Sequence, residues 1–400
     1  MALLESVLVV GASLAGHATA RALRSQGFDG RITLVGEERE RPYDRPPLSK
    51  GFLAGRVEAA DLALEAAGED LQVEWLLGHA ATALDVADTA VTLDDGRRLV
   101  ADAVVLATGS RARRLPGGTA AHDLAGVHTV RNLADARALR AELLPGVRVV
   151  VVGAGFIGAE VASTVHGLGL EVTVVEAAPA PLSGPLGVEL GLAVATLHAR
   201  HGVHLECGVP VAGLRGRERV TGVELVDGTV LPADVVVVGI GSMAATDWLA
   251  SSGLDVVGGV ACSSTGAVAP GVWAVGDCAA WYDPVRGLPH RLEHWTDALE
   301  RPVAMVRAML GQSAGTARAP YFWSEQYGVM IQFAGRHLGG EQITIEAGSP
   351  ATSDVFATYR RDGELVAVLG MNQPKLFTRA RRSLPGTPLD RPSAVPQPVS

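Results

Sequence analysis

VRVVVVGAGFIGAEVASTVHGLGLEVTVVE, residues Val147–Glu176, has the pattern of a strand, a glycine-rich turn, a helix and a second strand. Its valine-rich start is typical of a strand buried on both faces of a parallel sheet. Gly153, Gly155 and Gly158 have G-x-G-x-x-G spacing, which permits a tight turn, the approach of a pyrophosphate and close packing of helix on strand. Glu176 ends the second strand, where a carboxylate accepts hydrogen bonds from a ribose diol. The stretch predicts a dinucleotide-binding unit; the alternative is a tightly packed βαβ unit without a ligand.

The acid at the end of this unit also selects the cofactor. A carboxylate at Glu176 repels the 2′-phosphate of NADP, and the next residues, Ala-Ala-Pro-Ala at 177–180, supply no arginine to bind that phosphate. We therefore predict that this unit binds NAD(H) in preference to NADP(H).

A second unit of the same kind lies at the amino-terminus. Val7–Val10 predicts a strand, GASLAG at 11–16 the turn, His17–Gln26 a helix, and Ile32–Val35 the next strand, which two acids, Glu37 and Glu38, follow. Serine replaces the middle glycine of the motif at position 13, which makes this motif weaker than the other. Two dinucleotide units in one chain predict a flavin and a nicotinamide bound face to face, because a hydride must pass between them.

Composition excludes several classes of protein. The formal charge of −9 at pH 7 argues against bulk binding of nucleic acid or of a membrane surface. The chain has no apolar run long enough to span a membrane, and its first residues do not form a signal peptide. Its three cysteines, Cys207, Cys262 and Cys278, are widely spaced, which argues against a disulfide framework and predicts a cytoplasmic protein. The histidines show no metal-binding spacing, and we expect no metal site.

A charged, proline-stiffened loop, Glu37–Gly51, follows the first unit and predicts a short helix near Ser49–Leu53. Arg45 and Lys50 lie in this loop, directly after a nucleotide site, although an ordinary surface loop is the alternative. Lys50 is one of only two lysines among the 34 basic residues, which hints at a need for a compact ammonium.

Two later strand ends also point to cofactor contact. Thr108 and Gly109 follow a buried strand, and ligands in open α/β sheets bind at the carboxyl ends of strands. Gly276 and Asp277 follow an apolar strand at a predicted helix start, which would aim N–H groups at a phosphate or flavin. Asp277 would accept a hydrogen bond from a ribityl hydroxyl, with a simple N-cap as the alternative.

The predicted fold class is α/β, with two Rossmann-like dinucleotide-binding domains and a carboxyl-terminal α+β interface domain. Residues 1–112 and 241–320 form the predicted FAD-binding domain, and residues 113–240 the NAD-binding domain. Four strand-like runs and a helix at Pro374–Arg382 form the predicted interface domain, residues 321–382, and the proline-rich residues 383–400 are predicted to be disordered.

Together these motifs resemble the FAD-dependent NADH:ferredoxin reductases of Rieske oxygenase and cytochrome P450 systems, within the glutathione-reductase-like flavoproteins. The resemblance reaches to about residue 382 and rests on VVGASLAG, RPYDRPPLSK, ATGSRARRLPG, VVGAGFIGAE, VVVVGIG, VWAVGDCA, RLEHWTDALERP and PYFWSEQYG. It implies FAD contacts at Gly11, Ala15, Gly16, Glu37, Arg45, Lys50, Ala81, Arg131, Asp277 and Trp295, to which the motifs above add Ser13, Thr108, Gly109 and Gly276. It implies nicotinamide-cofactor contacts at Gly153, Gly155, Ile157, Gly158, Glu160, Glu176, Gly239 and Gly241.

The resemblance implies that NADH reduces FAD and that single electrons then pass to a [2Fe–2S] ferredoxin, which feeds a monooxygenase or dioxygenase. Lys50 would stabilise the reduced flavin, and Glu160 would position NADH or pair with Lys50; an ordinary salt bridge is the alternative. Trp323 would line the electron exit beside Trp295 or simply pack the last domain. Candidate docking cations are Arg291, Arg301, Arg307 and Arg336.

The chain has no cysteine before Cys207, so an early redox-active thiol near the flavin is excluded, and three scattered cysteines cannot ligate an iron–sulfur cluster. Alternatives on the same fold are an NADH oxidase or a reductase of rubredoxin or quinones. An NADH-sensing interaction flavoprotein with slow turnover is an alternative of another class. We expect a monomer or a weak homodimer.

Overall fold

The computed structural model describes residues 4–115 and 124–389. Residues 4–115 contain helix α1 (Leu14–Ser25) and strands β1 (Ser6–Val10), β2 (Arg31–Gly36), β3 (Val73–Leu77), β4 (Ala81–Asp85), β5 (Ala90–Leu93), β6 (Arg98–Val100), β7 (Ala103–Leu106) and β8 (Ser110–Ala112). Residues 124–240 contain helices α2 (Leu133–Glu142), α3 (Phe156–Gly167), α4 (Ser183–Leu186) and α5 (Val188–Arg200), and strands β9 (Val127–His128), β10 (Arg148–Val152), β11 (Glu171–Glu176), β12 (His204–Cys207), β13 (Val211–Gly216), β14 (Val220–Leu225), β15 (Val230–Pro232) and β16 (Val235–Val238).

The remainder of the chain adds two further groups of elements. Residues 241–315 contain helix α6 (Trp295–Met309) and strands β17 (Ser242–Ala244), β18 (Val260–Cys262), β19 (Ala267–Ala269), β20 (Val272–Ala274), β21 (Ala279–Asp283) and β22 (Leu288–Arg291). Residues 316–389 contain helix α7 (Pro374–Arg381) and strands β23 (Thr316–Ala317), β24 (Tyr321–Gln326), β25 (Val329–Gly335), β26 (Gln342–Ser349), β27 (Asp354–Arg361), β28 (Glu364–Met371) and β29 (Thr387–Pro388).

The first large sheet has the strand order β19-β20-β7-β1-β2-β3. Strand β1 lies at its centre, parallel to both neighbours, with Val10 opposite Val35 and Leu106. The valines of β1 are buried, as expected for a central parallel strand covered on both faces. Since β19 and β20 come from beyond residue 241, the chain leaves this sheet, builds the second one, and returns.

The second large sheet, β12-β11-β10-β16-β9, is parallel throughout and repeats the central arrangement of the first. Val152 at the end of β10 lies opposite Val175 and Val238. Both glycine-rich turns therefore lie at the carboxyl edge of a parallel sheet, which is where ligands bind in open α/β folds. The prediction of an α/β fold with two Rossmann-like units is confirmed.

The third large sheet, β24-β25-β28-β27-β26, is antiparallel and is formed by the carboxyl-terminal part of the chain. One face packs on helices α4 and α5 of the second unit, where Leu186 and Leu190 share one buried hydrophobic cluster with Ile331 and Tyr359. The four predicted strands are confirmed, but β24 was not predicted, because its alternating pattern is interrupted by polar residues that the structure buries.

Three local predictions differ from the structure. The predicted helix after Gly276 is only a three-residue 3₁₀ turn, Gly276–Cys278, because strand β21 begins directly after it. The helix expected near Ser49–Leu53 is instead a 3₁₀ turn at Pro46–Ser49, where the prolines set the backbone. Disorder from residue 383 is wrong for the first part of the tail, because Thr387–Pro388 pairs with β23 and Leu389 is buried. Residues 390–400 lie outside the described residues.

Helix α6 lies where the sequence predicts it, between His294 and Leu310, and it includes Pro302. Within residues 4–115 and 124–389, none of the helices combines the length and the apolar composition needed to cross a lipid bilayer.

Candidate active site

Four predicted site glycines shape the turns by letting backbone atoms approach closely. A Cβ atom on Gly16 would lie 1.8 Å from the carbonyl oxygen of the turn's first glycine, and one on Gly158 would lie 1.9 Å from the equivalent oxygen. A Cβ atom on Gly153 would lie 2.4 Å from a carbonyl oxygen of the next turn, and one on Gly276 would lie 2.7 Å from the Cβ of Ala15. These four glycines line neither of the two cavities described below. These positions leave no room for a side chain, and their predicted contacts with a cofactor stay predictions.

The middle positions of the two motifs differ in their surroundings. A Cβ atom on Gly155 would meet only one atom within 4 Å, at 3.9 Å, so this side of the turn is free for a pyrophosphate. In the first unit Ser13 takes this position, and its Oγ accepts hydrogen bonds from Arg45 Nε (3.2 Å) and Nη2 (3.0 Å). The serine that departs from the motif thus holds a guanidinium group at the turn, where it would meet the phosphates of a dinucleotide.

A long cavity of about 1310 Å³ runs along the carboxyl edge of the first sheet. It is lined by residues that the sequence singles out, namely Gly11, Ser13, Glu37, Arg45, Ala81, Thr108, Gly109 and Arg131. The volume exceeds that of common small-molecule sites, as an extended dinucleotide requires. Two further hydrogen bonds fix Arg45 here, from Nη1 to the carbonyl oxygen of Arg131 (2.7 Å) and from Nη2 to Glu38 Oε1 (2.5 Å).

The two ribose acids do not occupy equivalent positions. Val10 pairs with Val35 and Val152 pairs with Val175, so the equivalent of Glu176 in the first unit is Gly36, one position before Glu37. A side chain at position 36 would meet the Cβ of Ala12 at 2.7 Å, which explains the glycine. Glu37 is largely exposed and lies 3.7 Å from Arg111, at the rim of the first cavity.

Asp277 belongs to a small polar cluster at the meeting point of the chain segments. Its Oδ2 accepts hydrogen bonds from Arg131 Nη2 (2.9 Å) and Ser110 Oγ (3.1 Å). The N-cap residue of the 3₁₀ turn is Val275 and not Asp277, so the N-cap alternative is wrong. Asp277 lines the second cavity, and the cluster fixes its carboxylate there.

The second cavity, of about 680 Å³, opens between the two dinucleotide units and the carboxyl-terminal sheet. The residues of this cavity wall that the sequence predicted as site residues are Ser13, Ala15, Arg45, Lys50, Gly109, Arg131, Gly155, Ile157, Glu160, Glu176, Gly239, Gly241, Asp277, Trp295 and Trp323. Ser13, Arg45, Gly109 and Arg131 line the first cavity as well, so the two spaces are continuous. The arrangement has room for two dinucleotides whose flavin and nicotinamide rings meet in the second cavity.

Lys50 and Glu160 form an ion pair on the wall of this second cavity. Lys50 Nζ lies 2.6 Å from Glu160 Oε2, with 20% of the lysine side chain and 4% of the glutamate side chain exposed. Ser49 Oγ donates to the same oxygen at 2.5 Å. A buried carboxylate requires such partners, because an isolated charge there would be strongly destabilising. The structure therefore brings together two residues that the sequence places 110 positions apart.

The carboxylate of Glu176 is held by backbone donors on both sides. Its Oε2 accepts from the N–H of Ala154 (2.7 Å) in the glycine turn, and its Oε1 accepts from the N–H of Ala178 (2.8 Å). Because backbone groups fix it, the charge stays at the cavity wall, where a ribose or its phosphate would lie.

Aromatic side chains extend from the second cavity towards the carboxyl-terminal helix. Trp295 Nε1 donates to Asp44 (2.7 Å), and the ring of Trp323 lies 5.5 Å from that of Trp295. Tyr321 stacks on the other side of Trp323 at 5.9 Å, and the guanidinium of Arg381 lies 3.9 Å from the Tyr321 ring. Trp323 thus lines the second cavity and also packs against its aromatic neighbours, and its role at an electron exit stays a prediction.

Three of the four arginines predicted to dock a partner are largely buried and paired within the chain. Arg301 donates to Asp297 (2.9 Å) and lies over Trp281, and Arg336 donates to Asp283 (2.8 Å). Arg291 donates to the backbone carbonyl of Asp277 (3.2 Å). These three guanidinium groups are thus already paired within the chain, whereas Arg307 is exposed; the four docking roles stay predictions.

The cysteines lack the environment of redox-active thiols. Cys262 and Cys278 are fully buried, and burial raises the pKa of both thiols. Cys207 is half-buried, and burial raises its pKa as well, with Glu176 contributing in the same direction. A thiol with a raised pKa is a poor nucleophile, so all three act as packing residues.

Sequence reasoning missed several residues of the site. Ser49 and Ser324 donate to Glu160, and Ser110 donates to Asp277. All three lie inside motifs quoted above, but serine at these positions carries no chemical signal of its own. Among the described residues, the group that could hold a metal ion is His79, Asp94 and Asp95, which are at least partly exposed.

Comparisons with known proteins agree with this geometry. The family model of pyridine nucleotide-disulphide oxidoreductases matches residues 5–301, and the reductase C-terminal model matches residues 321–397. The ferredoxin–NAD(+) reductase component of the biphenyl dioxygenase system of Paraburkholderia xenovorans (strain LB400) is 37% identical, over 95% of this chain and 93% of that protein. The chlorobenzene dioxygenase ferredoxin reductase component of Cupriavidus sp. (strain PS12) is 38% identical, over 94% of this chain and 91% of that protein.

Among solved structures, the covalent putidaredoxin reductase–putidaredoxin complex matches with a TM-score of 0.90 at 33% identity, over 94% of this chain and 92% of that chain. A ferredoxin reductase for the CYP199A2 system of Rhodopseudomonas palustris matches with a TM-score of 0.87 at 31% identity, over 96% of each chain. The chain therefore belongs to the pyridine nucleotide-disulphide oxidoreductase family and is an oxidoreductase that uses FAD and NAD(H).

Proposed function

We propose that this protein is an NADH-dependent ferredoxin reductase that supplies electrons to a monooxygenase or dioxygenase. The observation that carries the proposal is the second cavity, where two nucleotide units meet and the Lys50–Glu160 pair forms part of the wall. The relatives named as ferredoxin reductase components match nearly the whole chain, including its carboxyl-terminal part.

The first cavity would hold most of FAD, and the flavin end would reach into the second cavity. Arg45 would bind the pyrophosphate at the Ser13 turn, Glu37 would accept from the ribose, and Asp277 would accept from the ribityl chain. When bound, FAD accepts a hydride from NADH and releases the electrons one at a time. Gly11, Ala15, Thr108, Gly109 and Arg131 complete the lining at the same edge of the sheet.

The second cavity would hold the nicotinamide cofactor. Glu176 would accept from the ribose hydroxyls, and its charge would exclude the 2′-phosphate of NADP(H). Glu160 would orient the carboxamide end of the nicotinamide, and the ammonium of Lys50 would stabilise negative charge that develops at the cavity wall. These side chains are fixed before the ligand arrives, so little reorganisation is needed.

Electrons have to leave by a route other than a thiol, because the cysteines are packing residues. NADH carries two electrons and a [2Fe–2S] ferredoxin takes one, so each NADH would reduce two ferredoxins and release one proton. Trp323 and Trp295 line the cavity on the side of the carboxyl-terminal sheet, and we infer that the ferredoxin docks there. The residue roles and the domain boundaries after residues 112, 240 and 320 stay predictions.

The cellular location follows from the chemistry that we propose. All three cysteines are free, as is usual for proteins of a reducing compartment. NADH is a cytoplasmic reductant, and we therefore infer that the protein works in the cytoplasm.

An absorption spectrum of the purified protein, titrated without oxygen, tests the proposal. We expect a yellow protein that NADH bleaches and that a [2Fe–2S] ferredoxin then reoxidises. A protein that bleaches with NADH but passes electrons only to oxygen, rubredoxin or a quinone would contradict the ferredoxin assignment. A long-lived flavin–NAD complex that resists every acceptor would favour an NADH-sensing role instead.

A further inference from the structure

Strand β24 places two buried polar side chains behind the ion pair. Ser324 and Gln326 each have 0% of their side chain exposed, although both carry groups that need hydrogen-bond partners. Ser324 Oγ donates to Glu160 Oε1 at 2.8 Å, and Gln326 Nε2 donates to Ser324 Oγ at 3.2 Å. A linear series of hydrogen bonds therefore leads from the carboxyl-terminal sheet to Glu160.

The direction of this series is fixed by its last member. An ionised carboxylate accepts hydrogen bonds and cannot donate them, so the Ser324 hydroxyl has to donate to Glu160. The lone pairs of that hydroxyl then face the Gln326 amide, which has to present its N–H₂ group. Each side chain thus fixes the orientation of the next.

The two oxygens of the Glu160 carboxylate are held by different parts of the chain. Oε2 accepts from Lys50 and Ser49, which lie in the loop after the first unit, and Oε1 accepts from Ser324 in the carboxyl-terminal sheet. The bond to Oε1 therefore opposes rotation of the carboxylate about its Cγ–Cδ bond. The orientation of the carboxylate plane therefore depends on Ser324.

Strand β24 faces two ways at this point. Successive side chains of a strand point to opposite faces, so Trp323 faces the second cavity while Ser324 points to helix α3 and Glu160. The same strand thereby lines the cavity through Phe322 and Trp323 and holds a carboxylate of the cavity wall through Ser324.

We propose that Ser324, supported by Gln326, is a positioning residue that sets the Glu160 carboxylate for the nicotinamide. The carboxyl-terminal sheet then serves the hydride-transfer half of the reaction as well as the electron-exit half. This inference rests on the proposed function, since it concerns the residue that would orient NADH.

A variant pair from the same sheet separates positioning from packing. Ser324→Ala removes the donor to Glu160 Oε1. Thr358→Val removes a buried hydroxyl that donates to another carboxylate, Glu346, at 2.9 Å, and that lies outside both cavities. The two changes are chemically alike, so an effect confined to Ser324→Ala cannot come from the loss of any buried hydroxyl in this sheet.

Four quantities are measured on the FAD-loaded proteins: NAD⁺ affinity from perturbation of the flavin spectrum, the single-turnover rate of bleaching by NADH, the rate at which ferredoxin reoxidises prereduced protein, and the unfolding temperature. For Ser324→Ala we expect weaker NAD⁺ binding and roughly tenfold slower bleaching, on the scale of one hydrogen bond to a charged group. We expect reoxidation by ferredoxin to stay unchanged, and Ser324→Thr to recover most of the loss. Thr358→Val should match the wild type in both nucleotide measurements.

The inference is overturned if Ser324→Ala matches Thr358→Val in NAD⁺ affinity and bleaching rate, or if the bleaching and ferredoxin steps slow equally. Should Ser324→Ala lose its FAD, Gln326→Met supplies the second test, because it removes only the support; unchanged NAD⁺ affinity there would also overturn the inference. A wild-type protein that NADH fails to bleach contradicts the proposed function itself, which is a separate outcome.

Discussion

Replacement of Glu176 by glutamine tests the physical basis of cofactor choice. The carboxylate is half-buried and its two oxygens are fixed by the N–H groups of Ala154 and Ala178. Glutamine keeps the size of the side chain and one acceptor oxygen but removes the charge. We expect the preference for NADH over NADPH to fall sharply, while the protein still folds and binds FAD.

The size of the effect follows from the charges involved. Two unit charges about 5 Å apart repel by about 3 kcal/mol at an effective dielectric constant of about 20. A 2′-phosphate carries more than one charge, whereas partial exposure and salt screen the repulsion. We take about 2–3 kcal/mol as the net discrimination, which corresponds to a loss of roughly 30- to 150-fold in the NADH:NADPH preference. One backbone N–H also meets the amide nitrogen instead of an oxygen, so NADH itself should react more slowly.

The assay is kcat/KM for NADH and for NADPH in ferredoxin reduction, at low and at high salt. Glu206→Gln is the matched control. Glu206 lies on the neighbouring strand, opposite Val175, and its substitution removes the same charge at a position outside the second cavity. The control should leave the ratio nearly unchanged. A wild type that prefers NADPH, or a Glu176→Gln variant with the wild-type ratio, would refute the assignment of the ribose acid.

Three further predictions concern other parts of the molecule. Lys50→Arg should slow bleaching by NADH although the charge is kept, because a broad guanidinium replaces the compact ammonium beside Glu160; stopped-flow absorbance measures this, and an unchanged rate removes the special role of the lysine. Gly16→Ala should purify without FAD, whereas Gly158→Ala should keep FAD but resist NADH, because each Cβ disrupts a different turn; the visible spectrum before and after NADH decides. Burial lowers the pKa of His198 to about 4, so the unfolded chain binds more protons below pH 6.5, and up to about 3 kcal/mol of stability is lost as the pH falls towards 4. His198→Asn should flatten this dependence in pH-dependent unfolding, and an unchanged acid slope would contradict the assignment.

Local patterns predicted the dinucleotide units correctly. A βαβ unit can be identified within about 30 residues of sequence, because strand burial, glycine spacing and the terminal acid are set by short-range geometry. The positions of Gly155 and Glu176 in the second cavity therefore follow the sequence closely. The one-residue offset of Glu37 from the position equivalent to Glu176 does not follow from the local pattern, since it depends on how Gly36 packs against Ala12.

The electrostatic partners of charged residues were less predictable. Arg291, Arg301 and Arg336 have no sequence feature that separates them from surface arginines, yet each donates to an acceptor within the chain. Partner choice is a property of the packed state, because any of several acceptors along the chain would satisfy a guanidinium group equally well.

By itself the sequence determined the two nucleotide units, the absence of an early thiol and the class of reaction, since these depend on residue identity and short spacing. Only the tertiary structure decided what holds Glu160, because Ser324 is 164 residues away and reaches it through the packing of one sheet on another unit. The same is true of Thr387–Pro388, which pairs with Thr316–Ala317. Contacts between distant segments depend on which faces of the sheets and helices are buried against each other. The periodicity within one segment does not predict them.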